Sequence, residues 1–549
     1  MKFKKNQIVE LYIDDIGNEG EGIGHIDGYA LFLKDAVIGD KVRAKIIKTK
    51  KNYGFARVEE VIEASKDRVS PRCSKARQCG GCTLQHLAYE KQLEYKFNKV
   101  KNCLERIGGL ENIEEKMEPI LGMEEPFYYR NKAQFPVGYD KEGNLITGFY
   151  AGRTHHIIDC THCMIQHPVN EQILLKVLDY MKKNNITAYD EKTHKGLVRH
   201  IVTRVGFKTG EIMVCLVVNG SKKNLRNLEM LVDSLTEVEG MTSICVNINK
   251  EKTNRILGSK IEEVYGKPYI YDYIGNVKYQ IGPLSFFQVN PTQTKVLYEK
   301  AMEYADLKGE ETVWDLYCGI GTISLFLAQK AKKVYGVEIV KEAIDDARLN
   351  AKMNGFDNAE FFVGKAEEVL PREYEKNGVY ADTIVVDPPR KGCDSKLLET
   401  MVKMAPKRIV YVSCDPATLA RDLKVLSEQG YEVEKVCAVD QFSHSSHVET
   451  VVLLSQQKPD DTIEIDLDLD ELDATSVELK ATYQEIKDYV LKEFGLKVSN
   501  IYISQIKRKC GIEVGENYNL PKTENPKVPQ CPKEKEDAIK AALKYFAMI

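Results

Sequence analysis

Along residues 1–62, apolar and polar positions alternate with a period of two in short runs (IVELYIDDI, YALFL, DKVRAKIIKT) that glycines interrupt. Such closely spaced strands with glycine turns predict a small barrel of the OB type, any small all-β module being the plainer alternative. After a cysteine-bearing segment, YEKQLEYKFNKVKNCLERIG reads as a helix, so that residues 63–100 open a second region. Residues 119–275 mix strands (HIVTRVGF, GEIMVCLVV, TSICVNIN) with one clear helix, NEQILLKVLDYMKKNN. From about residue 280, apolar strands and amphipathic helices alternate, which predicts a doubly wound, largely parallel sheet. The expected organisation is a barrel at 1–62, an α+β central domain at 63–275 and a Rossmann-like α/β domain at 280–456. An acidic linker at 457–473 and a mostly helical appendage at 474–549 follow.

The 549 residues, 43% hydrophobic and 29% charged, suffice for several cores, about three or four at roughly 150 residues each. No apolar run is long enough to cross a bilayer and the start is polar, so a soluble, cytoplasmic protein is expected. The net charge of −4 argues against a nucleic-acid partner only if it is evenly spread. The eight acids of residues 460–473 exceed it, leaving the remainder positive, and residues 41–57 are basic with no acid. Tyr53 and Phe55 end that stretch, and cations with aromatic faces suit RNA.

Asp315-Leu316-Tyr317-Cys318-Gly319-Ile320-Gly321 follows a strand and opens a helix, so its backbone can approach a ligand closely. It is not the dinucleotide fingerprint, which disfavours a nicotinamide enzyme. The next strand ends in Glu338, placed to accept hydrogen bonds from ribose hydroxyls, and another delivers Asp387 before two prolines. Both fall at the carboxyl edge where such sheets bind ligands. The combination predicts an S-adenosylmethionine site.

Cys414 lies between a strand end and a helix start, where the helix dipole is expected to lower its pKa. A thiolate added to C6 of a uracil makes C5 nucleophilic toward a methyl sulfonium, and the C5 proton must then leave to a base. Glu449 begins the last strand at the same edge and is the preferred base, with His444 and His447 as rivals.

FFQVNPTQT (286–294), DLYCGIGTISL (315–325), VDPPRKG (386–392), SCDPATLARD (413–422) and HVET (447–450) resemble the RNA uracil-C5 methyltransferase family. The resemblance covers residues 1 to about 455 and implies an N-terminal TRAM barrel. It implies Cys414 as nucleophile, Glu449 as base, and cofactor or target-base contacts at Gln288, Tyr317, Glu338 and Asp387, with Thr322 and Lys365 added by analogy. Cys73, Cys79 and Cys82 could wrap a metal with Cys160 or Cys163, and two C-x2-C pairs also suit zinc. The ribosomal-RNA branch of the family is similar in carrying this cysteine spacing, which implies a [4Fe–4S] cluster on Cys73, Cys79, Cys82 and Cys163 and a structural or RNA-positioning role for it. The expected substrate is therefore a single-stranded or flipped uridine in 23S ribosomal RNA. Transfer RNA, a cytosine-C5 enzyme and a non-catalytic RNA-binding or assembly protein are the alternatives. The resemblance stops before the appendage, whose Lys507, Arg508 and Lys509 suggest an accessory RNA- or partner-binding module.

Overall fold

The computed structural model describes residues 3–152, 154–457, 482–512, 531–546 and 548. The chain divides into two compact units, 1–458 and 459–549. No helix among the described residues is long and apolar enough to cross a membrane.

Six strands form the N-terminal barrel: β1 (Ile8–Tyr12), β2 (Asp15–Ile16), β3 (Gly22–Ile26), β4 (Tyr29–Lys34), β5 (Lys41–Thr49) and β6 (Tyr53–Glu63). Their order is β1-β5-β6-β4-β3-β2. In β5 the pleat sends Val42, Ala44 and Ile46 into the core and leaves the intervening cations outside. The basic stretch is less free than its sequence suggests. Lys41 pairs with Glu63, Arg43 with Glu10 and Glu60, and Arg57 with Glu59, acids supplied by other positions of the sheet. Phe32 faces Phe55 across β4 and β6, and with Tyr53 they form three mutually touching rings, centroids 5.7–5.8 Å apart.

Helix α1 (Tyr89–Arg106) and strand β7 (Met117–Leu121) come next. By sequence they belong to the central region, but β7 is the edge strand of the large C-terminal sheet and α1 packs on a helix of that sheet. Val100 and Leu104 of α1 supply the reason, since their apolar stripe is completed only by that domain's core.

The central sheet runs β10-β9-β8-β11-β12-β13-β14. It is built from β8 (Lys132–Tyr139), β9 (Leu145–Tyr150), β10 (Ile157–Asp159), β11 (Val198–Val205), β12 (Ile212–Val218), β13 (Met241–Ile248) and β14 (Lys260–Gly266). Helices α2 (Val169–Lys183) and α3 (Leu228–Thr236) cover one face through Ile173, Val177, Leu231 and Leu235.

A hairpin of β15 (Ile270–Ile274) and β16 (Val277–Ile281) spans the expected boundary near 275–280 and packs into the next core. The large sheet then has the order β19-β18-β17-β20-β21-β23-β22-β7. Its strands are β17 (Thr312–Leu316), β18 (Lys333–Glu338), β19 (Ala359–Val363), β20 (Thr383–Val386), β21 (Arg408–Ser413), β22 (Tyr431–Val439) and β23 (Glu449–Gln456), with β7. β17 to β21 are mutually parallel where they pair, and β23 runs antiparallel between β21 and β22. On one face lie α4 (Pro291–Ala305), α5 (Thr322–Ala328) and α6 (Lys341–Asn354). On the other lie α7 (Ala366–Asn377), α8 (Ser395–Met404) and α9 (Pro416–Glu428), beside α1. This is a Rossmann-like, doubly wound arrangement.

The second unit contains α10 (Tyr483–Phe494), α11 (Asn500–Lys509) and α12 (Lys533–Tyr545) around Ile486, Val490, Ile503, Ile506 and Ile539. Its expected basic cluster is dispersed: Lys507 lies over the Tyr483 ring and Lys509 pairs with Glu536. The acidic run 460–473 lies outside the described residues.

Candidate active site

Parallel register aligns the carboxyl ends of four strands, since Leu316 pairs with Val337 and Val386, and Val386 with Tyr411. The residues that follow share one edge, and there a cavity of about 1090 Å³ opens toward the central sheet. It is lined by Gln288, Tyr317, Glu338, Lys365, Asp387, Cys414 and Glu449, among others.

After β17 the chain turns sharply, with Tyr317 at φ 73°, Gly319 at φ 55° and Gly321 at φ 81°. The amides of Tyr317 and Cys318 both donate to the Val337 carbonyl, which holds the turn against β18. At Gly321 a side chain would press on Ala347 and Phe361, so this position needs glycine for space as well as for φ. Glu338 accepts the Val340 amide at 2.9 Å through Oε1, which leaves Oε2 for a ligand. Thr322 is not at the cavity wall: its hydroxyl accepts from Tyr298 at 2.9 Å in the core. Lys365 is at the rim, 3.3 Å from Glu368.

Cys414 and Glu449 are brought together by the antiparallel β21–β23 ladder, in which Ser413 pairs with Thr450. Burial, then repulsion from Asp387, pushes Glu449 up to about 8, and Arg390 pulls partly against them. Burial, with Asp315 adding repulsion, raises Asp387 to about 7. The Cys414 thiol is not lowered, as its place before a helix suggests, but raised to about 11 by burial and by the Glu449 and Asp387 carboxylates. The helix start already has an anion: the Asp415 carboxylate accepts from the Ala417 and Thr418 amides, and its charge adds to the repulsion on the sulfur.

The rival histidines separate. His444 is buried, its ring 3.2 Å from Gln92 and stacked near Phe127, and burial lowers it to about 4. His447 stays at the cavity wall. The loop carrying them, residues 440–448, is clamped by α1. Lys96 and Asp440 form a fully buried ion pair, and Lys96 also donates to the Phe442 carbonyl at 2.9 Å. Tyr89 donates to Asp440 at 2.7 Å, and Lys99 donates to the carbonyls of Ser446 and of Asn18 in the barrel, each at 2.9 Å. Sequence reasoning missed this clamp, although Tyr89, Gln92, Lys96 and Lys99 follow one helical stripe; a polar stripe reads as a solvated face. A Lys96→Met variant leaves Asp440 a buried carboxylate with no cation and only the Tyr89 hydroxyl beside it, at an expected cost of about 3–5 kcal/mol. Denaturant unfolding followed through the only tryptophan, the buried Trp314, measures it. A Lys96→Met/Asp440→Leu pair is expected to recover most of the loss.

Cys73, Cys79, Cys82, Cys160 and Cys163 all reach the same cavity from the 64–88 loop and the loop after β10. Gly80 permits the approach, since a Cβ there would lie 3.0 Å from Gly152, and the Gly80 amide donates to the Tyr150 carbonyl. A hydrogen bond with Cys160 lowers Cys73 to about 6, while burial raises Cys79, Cys82 and Cys163. Among the described residues no three or more Cys, His, Asp or Glu side chains stand close enough to hold a metal ion. The donor chemistry, five neighbouring soft thiols, fits an iron–sulfur or zinc centre, but the thiols are not drawn into a ligating set.

Fold and cavity together define a Rossmann-like methyltransferase that carries an OB-type barrel. A family model for tRNA (uracil-5-)-methyltransferase matches residues 88–457, and one for the TRAM domain matches 2–58. Over 453 residues the chain is 53% identical to a Clostridium tetani protein named as an uncharacterized RNA methyltransferase, covering 82% of this chain and 97% of that one. A Halalkalibacterium halodurans protein with the same description is 52% identical over 451 residues, with the same shares covered. The structure is also similar to Pyrococcus abyssi tRNA (uracil-54, C5)-methyltransferase in complex with S-adenosyl-L-homocysteine. There the TM-score is 0.66 at 29% identity, over 81% of this chain and 100% of that one. The chain belongs to the tRNA (uracil-5-)-methyltransferase family, and it is an S-adenosylmethionine-dependent RNA methyltransferase. The non-catalytic alternative is set aside.

Proposed function

We propose that the enzyme methylates C5 of a uridine in 23S ribosomal RNA, acting in the cytoplasm, with Cys414 as nucleophile and Glu449 as general base. The observation that carries this reading is the convergence of Cys414, Glu449 and Asp387 on one cavity at the sheet's carboxyl edge. The cofactor supplies an electrophilic methyl on a sulfonium, whose positive charge also favours ionisation of the nearby thiol. Tyr317 and the glycine turn would hold it, Glu338 would accept from its ribose, Gln288 and Asp387 would contact it or the target base, and Lys365 would meet it at the rim. Thr322 is kept as a support of the turn through Tyr298.

Cys414 gives its proton to solvent water and its sulfur bonds to C6, so the ring electrons move onto O4. C5 then takes the methyl, and the sulfonium leaves as a neutral thioether. Glu449 removes the proton from C5, the C5–C6 double bond re-forms, and the C6–S bond breaks to return the thiolate. A base stacked inside an RNA helix hides C6, so the uridine is single-stranded or flipped, and the barrel's Phe32, Tyr53 and Phe55 offer stacking faces for the flanking chain.

Cys73, Cys79, Cys82 and Cys163 would hold a [4Fe–4S] cluster, zinc being the alternative, with a structural or RNA-positioning role. The five thiols beside the cavity support the ribosomal reading, because that cysteine spacing marks the ribosomal branch in the sequence. Transfer RNA is the second reading, favoured by the description of the matching family and by the archaeal neighbour's substrate. Mass mapping of ribosomal and transfer RNA from cells with and without the protein decides between them. Loss of a 5-methyluridine from 23S ribosomal RNA is expected, and its loss from transfer RNA alone overturns the ribosomal reading. Iron analysis and visible charge-transfer absorbance of anaerobically purified protein test the cluster.

A further inference from the structure

The pleat of β8 and the residues before it divides the chain between two environments. Ala133, Phe135 and Val137 join the apolar core under α2, whereas Arg130, Lys132 and Gln134 line the cavity. Across the ladder Lys132 pairs with Arg204 of β11, which is buried and donates to the Ser285 carbonyl, with its Nε left unpartnered. Arg130 is held by Gln166, whose amide oxygen, in the orientation its neighbours require, accepts from Nε at 3.2 Å.

Arg130 and Lys132 therefore share one wall of the cavity with Arg204 buried behind them, and among the described residues no carboxylate pairs with Lys132. Burial, then the guanidiniums of Arg204 and Arg130, pull Lys132 down to about 7. A desolvated cation without a counter-ion is costly, and the cost is relieved only when an anion arrives. The carboxylates of the cavity lie instead on the other elements, at Glu338, Glu367, Asp387, Asp394 and Glu449. The charges that act on Glu449 are those of Asp387 and Arg390, and Lys132 is not among them.

We propose that Lys132, backed by Arg130, binds an RNA phosphate adjacent to the uridine that enters the cavity. The assignment rests on the reading that a uridine in RNA enters here. It differs from contacts to the uracil ring, because a phosphate contact contributes to affinity through released counterions, and so to salt dependence, whatever the base.

The test uses the full-length enzyme loaded with S-adenosylmethionine and a 5-fluorouridine RNA that it modifies. Affinity is measured against salt concentration with the matching uridine RNA and S-adenosylhomocysteine, under which no adduct is trapped, for wild type, Lys132→Met and Lys132→Arg. Lys132→Met is expected to weaken binding about tenfold at moderate salt and to reduce the log–log salt slope by roughly 0.7–1. The RNA concentration for half-maximal covalent adduct rises with it, and Lys132→Arg restores both. Unchanged affinity for S-adenosylhomocysteine shows that the variant is folded. A wild-type salt slope in a folded Lys132→Met variant overturns the proposal, as does an adduct yield reduced at every RNA concentration with affinity intact. Failure of wild type itself to form the adduct overturns the underlying uridine reading instead.

Discussion

A Cys414→Ala enzyme is expected to lose methyl transfer by on the order of 10⁴–10⁶-fold while still binding S-adenosylmethionine and RNA. The size of the effect follows from the weak nucleophilicity of uracil C5, whose π electrons attack the methyl group readily only after addition at C6 has made the ring an enolate. No neighbouring side chain replaces the sulfur: at the cavity wall the other thiols belong to the 73–163 set, and Ser413 is buried. Denaturing gels of enzyme incubated with 5-fluorouridine RNA check it directly, because fluorine in place of the C5 proton blocks release. Wild type is expected to give a shifted covalent band and Cys414→Ala none. A persistent band, or methyl transfer within tenfold of wild type, removes Cys414 from the role.

Replacing Glu449 with glutamine is expected to produce the opposite phenotype in the same assay. Addition and methyl transfer still proceed, but the C5 proton is stranded, so adduct accumulates even with ordinary uridine RNA while turnover falls about 10²–10⁴-fold. The amide also removes one of the carboxylates that hold the Cys414 thiol up at about 11, which makes ionisation of the sulfur easier in the variant. The pH dependence carries the same signature. A base whose pKa is raised to about 8 is ionised, and competent, only above that value. Elimination in wild type is therefore expected to rise with pH and level above about 8, falling roughly tenfold per unit well below it. Adduct decay followed across pH in rapid quench measures this, and Glu449→Gln is expected to lack that limb. A Glu449→Gln enzyme that turns over normally and accumulates no adduct overturns the assignment.

The rise of both Cys414 and Glu449 above their ordinary values has one cause. Burial and the mutual repulsion of the carboxylates keep protons on the acids and the thiol while no cationic ligand lies against them. A cationic cofactor reverses that field, so ionisation of the pair is coupled to its arrival. Arg390, exposed at the rim and acting on both groups, is the one fixed charge that already opposes it.

Much of this molecule can be read from the order of its residues, because strand and helix periods, glycine turns and strand-end acids are local properties. The barrel's alternation, the β17 turn through Tyr317 and Gly321, and the positions of Glu338, Asp387, Cys414 and Glu449 at strand ends all depend on neighbours in the chain. What depended on distant partners could not be read in this way. The helix dipole at Cys414 is a sound local expectation, yet the Asp415 carboxylate takes up the helix start and two carboxylates from other strands push the thiol the other way. Helix α1 looks like a solvated helix until Asp440 is found against Lys96. The cations of β5 look free until glutamates from neighbouring positions meet them. Lys132 is an ordinary basic residue in a strand until Arg204 and an open cavity surround it. Charge acts through space and burial is a property of the packed molecule, so the strand-end residues of the candidate site are legible in the chain, while the charges that act on them, the helix that supports their loop and the unpaired cation of β8 follow only from tertiary structure.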